Sequence, residues 1–210
     1  MNSQRALFND MEQQAAQTEP RGFRYRDDII TAEEEAALAA ALGRLDLKPF
    51  EFHGHLGNRR VVSFGLKYDF GRRSVQTAGD MPAFLNDLLV RVAKLAGYEK
   101  ETFRQVGVNE YRTGAGIGWH KDKPQFGIVV GVSLLAAATM RFRKKQGANW
   151  VRVSHTLRPR SVYILSGEAR AEWEHSIPPV NDLRYSITFR TLSDTYAVGP
   201  LSFGSSDRLT

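Results

Sequence analysis

The sequence predicts an α+β fold, in which two helices near the N-terminus support a core of antiparallel β-strands. Two segments carry the start and stop signals of helices, and the second also has apolar residues along one face, whereas the chain beyond Gly97 consists of short runs rich in β-branched and aromatic residues. No internal repeat, low-complexity tract or linker interrupts the 210 residues, a length suited to one domain. We therefore expect a flexible, polar leader over residues 1–22 and a single domain over residues 23–210.

Both helices carry recognisable start and stop signals. The first is expected to begin after Thr31, which forms a capping-box pattern with Glu34, and to end before Gly43. The second is expected over residues 81–96, with Asp80 as its N-cap and leucine and valine residues along one face. We expect both helices to buttress the β core.

Short strands separated by turn residues are expected to fill the second half of the chain. Regularly spaced strands of this kind are typical of an antiparallel sandwich or barrel. The segment 59–70 is expected to add one or two strands upstream. The expected strands of the second half are Arg104–Tyr111, Ile128–Leu134, Thr139–Lys144, Trp150–Leu157, Ser161–Leu165 and Arg184–Leu192.

The composition limits the chemistry that this chain can perform. It contains no cysteine, so disulfides, thiolate metal sites and cysteine nucleophiles are excluded, and any metal must be held by His, Asp or Glu. The formal net charge is +6 and the pI is about 9.7, which favours a polyanionic partner such as nucleic acid. A basic protein without such a partner has the same composition, and charge alone does not separate the two.

The usual membrane and secretion signals are missing from the sequence. No apolar run approaches the roughly 20 residues that a membrane helix needs. The N-terminus lacks the basic start and apolar stretch of a secretory signal. We therefore expect a cytoplasmic protein without membrane contacts, and we expect it to be a monomer.

His120 and Asp122 are the first candidates for a metal site. Two residues apart in a strand, their side chains point to the same face and supply two-thirds of a 2-His-1-carboxylate facial triad. His175 is the preferred third ligand, because it lies between two expected strands and a barrel can fold it back opposite His120. The other histidines lie in a glycine-containing loop or in a strand before a basic turn, where a core or surface role is expected: His53, His55 and His155.

Arg184 and Arg190 lie at the two ends of the expected strand RYSITFR. Their even spacing puts both on one face, and the apolar residues between them point to the other face. Bidentate pairing of a guanidinium with a carboxylate is the natural use of such arginines in a core strand. The alternative is that both arginines face solvent on an ordinary antiparallel strand.

These parts occur in the order that iron- and 2-oxoglutarate-dependent oxygenases use. A His-x-Asp motif is followed about fifty residues later by a histidine, and nine positions further by an arginine. Over residues 59–192 the sequence resembles the AlkB family of nucleic-acid dioxygenases, most strongly from Asn109 to Arg190. The resemblance implies iron ligands at His120, Asp122 and His175, 2-oxoglutarate contacts at Asn109, Tyr111, Arg184 and Arg190, and a catalytic position near the iron for Arg190.

The resemblance implies a fold, cofactors and a reaction. The fold is a double-stranded β-helix, or jelly roll, and the cofactors are Fe(II), 2-oxoglutarate as co-substrate and dioxygen. The reaction is oxidative demethylation of alkylated bases in DNA or RNA, which would make this a repair enzyme whose partner is damaged nucleic acid. An oxygenase of the same fold that hydroxylates a tRNA base or a protein side chain remains the alternative. A barrel that binds nucleic acid by charge alone would need none of these motifs.

Substrate contacts follow from the resemblance less directly. Tyr68 or Phe70 would border the pocket and stack on an extruded base, although a core role is equally open to both. Lys121 and Lys123 flank the iron aspartate and are expected at the rim of the pocket. The chain departs from the repair members at Pro124, where they typically carry an acidic residue that helps to read the base, so the base preference is in doubt. It departs again where many members have asparagine in the arginine strand, at Ser186.

One further strand combines basic and apolar residues. Arg141 and Arg143 alternate with Met140 and Phe142, which predicts one core face and one basic face. The basic face either tracks phosphates near the pocket or is an ordinary solvated surface.

Overall fold

The computed structural model describes residues 19–52, 55–69 and 74–197. The helices are α1 Ala32–Leu42, α2 Asn86–Ala96, α3 Gly167–Ala171 and α4 Asp194–Ala197, with 3-10 turns at Ala83–Leu85 and Lys100–Thr102. The strands are β1 Phe23–Arg26, β2 Lys48–Phe52, β3 His55–Asp69, β4 Ser74–Thr77, β5 Phe103–Tyr111, β6 Ile117–His120, β7 Phe126–Leu134, β8 Ala138–Gln146, β9 Asn149–Leu157, β10 Ser161–Leu165, β11 Glu174–Ile177 and β12 Arg184–Leu192. A search of these residues finds no helix with the length and apolarity that crossing a membrane requires.

Two antiparallel sheets form the core of the fold. The larger sheet has the strand order β1-β10-β7-β12-β5-β3-β2, and β4 pairs with the far end of β3. The smaller sheet has the order β6-β11-β8-β9. The larger sheet pairs strands that are distant in sequence, such as β12 with both β5 and β7. Its inner face, which points towards the smaller sheet, therefore carries side chains from the whole second half of the chain.

Two apolar layers hold the sheets and helices together. One layer lies between the outer face of the larger sheet and the helices, where Leu42 and Val92 pack with Val108 and Ile187. The second layer lies between the two sheets and contains Phe142, which is fully buried, and Tyr111. This sandwich buttressed by N-terminal helices confirms the predicted α+β class.

The N-terminal ends of the two long helices differ in how well the sequence predicts them. The Thr31 side chain accepts a hydrogen bond from the Glu34 backbone N–H, and the Glu34 carboxylate accepts one from the Thr31 backbone N–H, so the predicted capping box is confirmed. The predicted start of the second helix is wrong. Pro82 precedes a 3-10 turn, and α2 begins at Asn86 without a side-chain cap, so Asp80 does not cap it.

The predicted strands are present, and the structure extends several of them and adds others. The strand expected over residues 59–70 is part of β3, which runs from His55 to Asp69. The leader expected over residues 1–22 lies outside the described residues up to position 18. Its last residues are packed against the domain, because Pro20 is buried and its carbonyl accepts a hydrogen bond from the Phe23 N–H.

Gly131 marks a close approach on the inner face of β7. Its neighbour across the β7–β10 pair is Tyr163, and a Cβ added at Gly131 would lie 2.1 Å from the Tyr163 ring. We predict that Gly131→Ala lowers the free energy of unfolding by about 1–3 kcal/mol through overpacking. Urea denaturation measures this, and the matched control is Gly79→Ala, because no atom of the described residues lies within 4 Å of the added Cβ there. Equal stability of the two variants would contradict the tight packing of Gly131 on the Tyr163 ring.

Candidate metal and co-substrate site

Strand pairing brings the three predicted metal-binding side chains together. His120 ends β6 and is paired directly with His175 on β11, and Asp122 follows His120 by two residues. One ligand atom from each of the three residues lies within 4.8 Å of the others, so the cluster can hold a metal ion. His155 is elsewhere, on β9, where its ring packs against the tilted ring of Tyr25 and its Nδ1 lies 2.7 Å from a Glu19 carboxylate oxygen.

Hydrogen bonds set the ring orientation at this cluster. His120 Nδ1 lies 2.9 Å from the carbonyl oxygen of Gly118, so it is the protonated nitrogen, and Nε2 keeps its lone pair. The Nε2 of His175 lies 3.6 Å from Asp122 Oδ2, and the two imidazole rings are 4.3 Å apart between centroids. The two imidazole rings and the carboxylate therefore lie close enough together to share one metal ion.

The protonation states also suit a divalent cation. Burial raises the pKa of Asp122, but the guanidinium of Arg190 and the nearby histidines outweigh it and hold that pKa well below its usual range. Burial lowers the pKa of His120, and it lowers the pKa of His175 to about 4. At neutral pH the cluster therefore offers one carboxylate and two neutral imidazoles, the donor set that suits Fe(II).

Arg190 fixes the orientation of the carboxylate. Its Nη2 donates to Asp122 Oδ1 at 3.2 Å, and its Nη1 donates to Gln105 Oε1 at 3.0 Å and to Thr188 Oγ1 at 2.8 Å. A side chain tied at both ends of its guanidinium cannot swing away from the carboxylate. Gly107 makes room for it, because an added Cβ there would lie 3.2 Å from Arg190 Nη1.

Arg184 lies on the same face of β12 and is buried, with 1% of its surface exposed. Its Nε donates to Ser133 Oγ at 3.0 Å, and its guanidinium carbon lies 5.0 Å from the centre of the Tyr111 ring. Its Nη1 is buried without a hydrogen-bond partner among the described residues. A buried cation with an unpaired N–H is costly, so the site fits an anionic ligand such as the distal carboxylate of 2-oxoglutarate.

The remaining residues of the predicted 2-oxoglutarate site lie on β5. Asn109 and Tyr111 sit opposite Ser186 and Arg184 in the β5–β12 register, so all four share the inner face. The Asn109 Oδ1 accepts a hydrogen bond from Arg59 Nη1 at 2.7 Å.

Arg170, which the sequence motifs did not single out, fixes the segment after His120. This side chain extends from α3 and donates to the carbonyl oxygens of Asp122, Lys123, Phe126 and Gly127. It therefore holds the turn that carries Asp122. The sequence signal for Arg170 is its position five residues before His175, in the run GEARAEWEH. An arginine so near a metal ligand in the sequence is expected to lie near the metal cluster as well.

Arg59 was also missed, although it holds the predicted Asn109 in place. Its guanidinium carbon lies 4.3 Å from the centre of the Phe50 ring. It lies in the segment 59–70, which the sequence assigned to a strand. The even spacing of Gln105, Asn109 and Tyr111 on β5 was a further signal of a polar inner face.

The predicted substrate residues are only partly within the described part of the chain. Tyr68 on β3 pairs with Val75 on β4, but its side chain and the whole of Phe70 lie outside the described residues. Lys121 is exposed and Lys123 is half-buried, on either side of Asp122. Both lysines therefore lie next to the metal cluster, one on each side of Asp122 in the sequence.

Comparison with known proteins agrees with this geometry. Residues 18–190 match the model of the 2OG-Fe(II) oxygenase superfamily. The "Alkylated DNA repair protein ALKBH8 homolog" of Arabidopsis thaliana is 30% identical over 76% of this chain and 51% of its own length. The "tRNA (carboxymethyluridine(34)-5-O)-methyltransferase ALKBH8" of Mus musculus is 30% identical over 76% of this chain and 24% of its own length. The chain thus spans about half or less of these relatives.

Solved structures show the same fold at low sequence identity. The structure of OsALKBH1 aligns with a TM-score of 0.63 and 16% identity, over 83% of this chain and 98% of that one. A prolyl-4-hydroxylase from Pseudomonas putida aligns with a TM-score of 0.58 and 15% identity, over 82% of this chain and 93% of that one. The core is therefore the predicted double-stranded β-helix. The superfamily match and the cluster of His120, Asp122 and His175 identify Fe(II) as the cofactor, with 2-oxoglutarate and dioxygen as co-substrates. The chain belongs to the 2OG-Fe(II) oxygenase superfamily and is an oxygenase of the AlkB type.

Proposed function

We propose that this chain oxidatively removes alkyl groups from bases in nucleic acid, with Fe(II) held by His120, Asp122 and His175. The observation that carries the proposal is the buried guanidinium of Arg184, whose Nη1 has no partner among the described residues and lies on the inner face that also bears the metal cluster. A metal cluster alone suits many hydrolases and oxygenases. The cluster together with a buried, partly unpaired arginine suits a dicarboxylate co-substrate bound beside the metal.

Each residue of the site has a distinct task in this proposal. When bound, Fe(II) supplies the oxidising chemistry, as 2-oxoglutarate and dioxygen give succinate and carbon dioxide. Arg184 pairs with the distal carboxylate of 2-oxoglutarate, and Tyr111 packs on that guanidinium. Asn109, held by Arg59, contacts the co-substrate from β5. Arg190 keeps the Asp122 carboxylate ionised and correctly turned, and the buried walls exclude water.

The substrate step balances without any further reagent. One oxygen atom from dioxygen is inserted into a C–H bond of an N-methyl group, and the second oxygen atom enters succinate. The resulting hemiaminal breaks its C–N bond, and the base nitrogen takes the hydroxyl proton while formaldehyde leaves. The target base must leave its stack to reach the metal, which costs least in single-stranded or damaged nucleic acid.

A nucleic-acid substrate is supported by charge and by the relatives. The net charge of +6 favours a polyanion, because each neutralised phosphate releases counterions. The names of the relatives refer to alkylated DNA and to a tRNA uridine. The second candidate is hydroxylation of a tRNA base without loss of a carbon, and Pro124 favours it because an acidic base-reading residue is missing at that position.

The co-substrate role of Arg184 is testable by a change that keeps its charge. We predict that Arg184→Lys raises KM for 2-oxoglutarate about 10- to 100-fold, because a lysine cannot reproduce the planar fork of the guanidinium. Succinate release as a function of 2-oxoglutarate measures KM, and Mn(II) binding by the same variant reports whether the metal site is intact. The matched control is Arg112→Lys, an arginine whose side chain is 65% exposed. An unchanged KM in Arg184→Lys would reject this role.

The substrate is tested with methylated oligonucleotides. Wild-type protein with Fe(II), 2-oxoglutarate and ascorbate should release formaldehyde and succinate in equal amounts from N1-methyladenine or N3-methylcytosine in single-stranded DNA or RNA. Asp122→Ala should lose this turnover, since the metal loses its carboxylate ligand, while Asp182→Ala, a change in an exposed aspartate, should retain it. Mass spectrometry of tRNA incubated in parallel distinguishes the second candidate. A tRNA base that gains one oxygen atom, without release of formaldehyde, would show hydroxylation instead of demethylation.

A further inference from the structure

We propose that the outer face of the smaller sheet binds single-stranded nucleic acid, through a stack of tryptophan and arginine side chains next to the metal site. The inference rests on the proposed function and names a second surface for the same substrate class. We call this surface the Trp–Arg face and define it by Trp119 of β6, Arg141, Arg143 and Lys145 of β8, Trp150 and Arg152 of β9, and Glu174 of β11.

Strand register places these side chains on one surface. Arg143 lies between Glu174 and Arg152 in the paired strands, and Lys145 lies opposite Trp150. Their neighbours along β8, such as Phe142, point the other way into the core between the sheets. Lys145, Trp150 and Arg152 are exposed on this surface, so it faces solvent there.

Arg143 is held between two indole rings. Its guanidinium carbon lies 4.5 Å from the Trp119 ring centre and 4.4 Å from the Trp150 ring centre. Arg141 adds a further contact, at 5.0 Å from Trp119. The Arg143 Nε also donates to the Glu174 carboxylate, which fixes the guanidinium in place. The result is a rigid row of flat, π-bearing groups rather than a set of mobile surface charges.

The charge of this face matches a phosphate backbone. Four cationic side chains and one carboxylate give it a net charge of +3 at pH 7. Arg141 bonds to the Ser176 hydroxyl instead of a carboxylate. Within the residues that the structure describes, Lys145 and Arg152 also have no carboxylate partner. An acidic peptide would satisfy the charge but would leave the exposed part of the Trp150 ring, which Arg143 does not cover, without a stacking partner.

A single-stranded nucleic acid can use both the aromatic rings and the positive charges of the Trp–Arg face. Its bases can stack on tryptophan and guanidinium planes, whereas the bases of a duplex stack on each other and do not present their faces. Trp119 and His120 are consecutive on β6, the edge strand of the sheet, so their side chains lie on opposite sides of it. A single-stranded nucleic acid that passes over the edge formed by β6 can therefore contact the Trp–Arg face and place a base at the metal cluster.

Binding of the full-length chain to an unmodified, fluorescein-labelled single-stranded RNA tests the proposal by fluorescence anisotropy. Trp150→Ala should weaken binding about 10-fold because one stacking partner is removed, and Trp150→Phe should weaken it less. The matched control is Tyr98→Ala, an aromatic residue of similar exposure on the helical side, 42% against 37% for Trp150, and it should bind like wild type. Quenching of tryptophan fluorescence by the RNA should decrease in Trp150→Phe.

The salt dependence separates stacking from charge. Lys145→Ala combined with Arg152→Ala should reduce the slope of log affinity against log salt concentration by about 0.7 for each phosphate that is no longer neutralised. Lys94→Ala combined with Arg44→Ala removes two exposed cations from the helical side and should leave the slope unchanged. Wild-type affinity in Trp150→Ala, or an equally weakened affinity in the Tyr98→Ala control, overturns the proposal. Trp150-dependent binding to polyglutamate but not to RNA also overturns it, in favour of an acidic protein partner.

Turnover measured on the same samples keeps this inference apart from the proposed function. RNA binding that depends on Trp150, without release of formaldehyde from any methylated oligonucleotide, supports binding at the Trp–Arg face and rejects the proposed demethylase activity. Formaldehyde release, with RNA binding that does not depend on Trp150, supports the demethylase and rejects the Trp–Arg face as a binding surface.

Discussion

The antiparallel pairing of β6 with β11 is the contact on which the candidate site depends. It sets His120 directly opposite His175, two residues that are far apart in the sequence. Neither strand is longer than four residues, so their pairing needs support from both sides. The longer β8 supplies it on one side through its own pairing with β11. Arg170 supplies it on the other by binding the carbonyl groups of the segment that follows β6.

The inner face of the larger sheet explains how so many polar groups are buried in a stable core. Arg184, Ser186, Thr188 and Arg190 alternate with apolar residues along β12. The apolar residues join the helices in one layer, and Arg184, Thr188 and Arg190 bond with partners on β5 and β7. The sheet thus separates an apolar core from a polar interior. These three side chains each have a partner among the described residues, and the Nη1 of Arg184, which has none there, indicates where a ligand belongs.

The fold class and the central motifs could be predicted because they depend on local patterns. The capping box at Thr31, the alternation along β12 and the spacing of His120 and Asp122 are all visible within ten residues. The local pattern does not predict the start of α2, because Asp80 resembles a cap whereas the chain first makes a 3-10 turn after Pro82. Nor does it predict the roles of Arg170 and Arg59, because their partners lie more than forty residues away. Contacts of that kind follow from strand pairing, which one sequence does not reveal.

The close contact between Gly116 and Ile177 limits where residues can be inserted into or deleted from this fold. A Cβ at this glycine would lie 2.7 Å from the carbonyl oxygen of Ile177, so the residue locks β6 against the end of β11. Side chains alternate between the two faces of a strand, so removal or insertion of one residue between Gly116 and His120 would exchange the places of Trp119 and His120. Gaps in alignments of related chains should therefore avoid this stretch and collect at the turn between β8 and β9, where Gly147 and Ala148 are exposed.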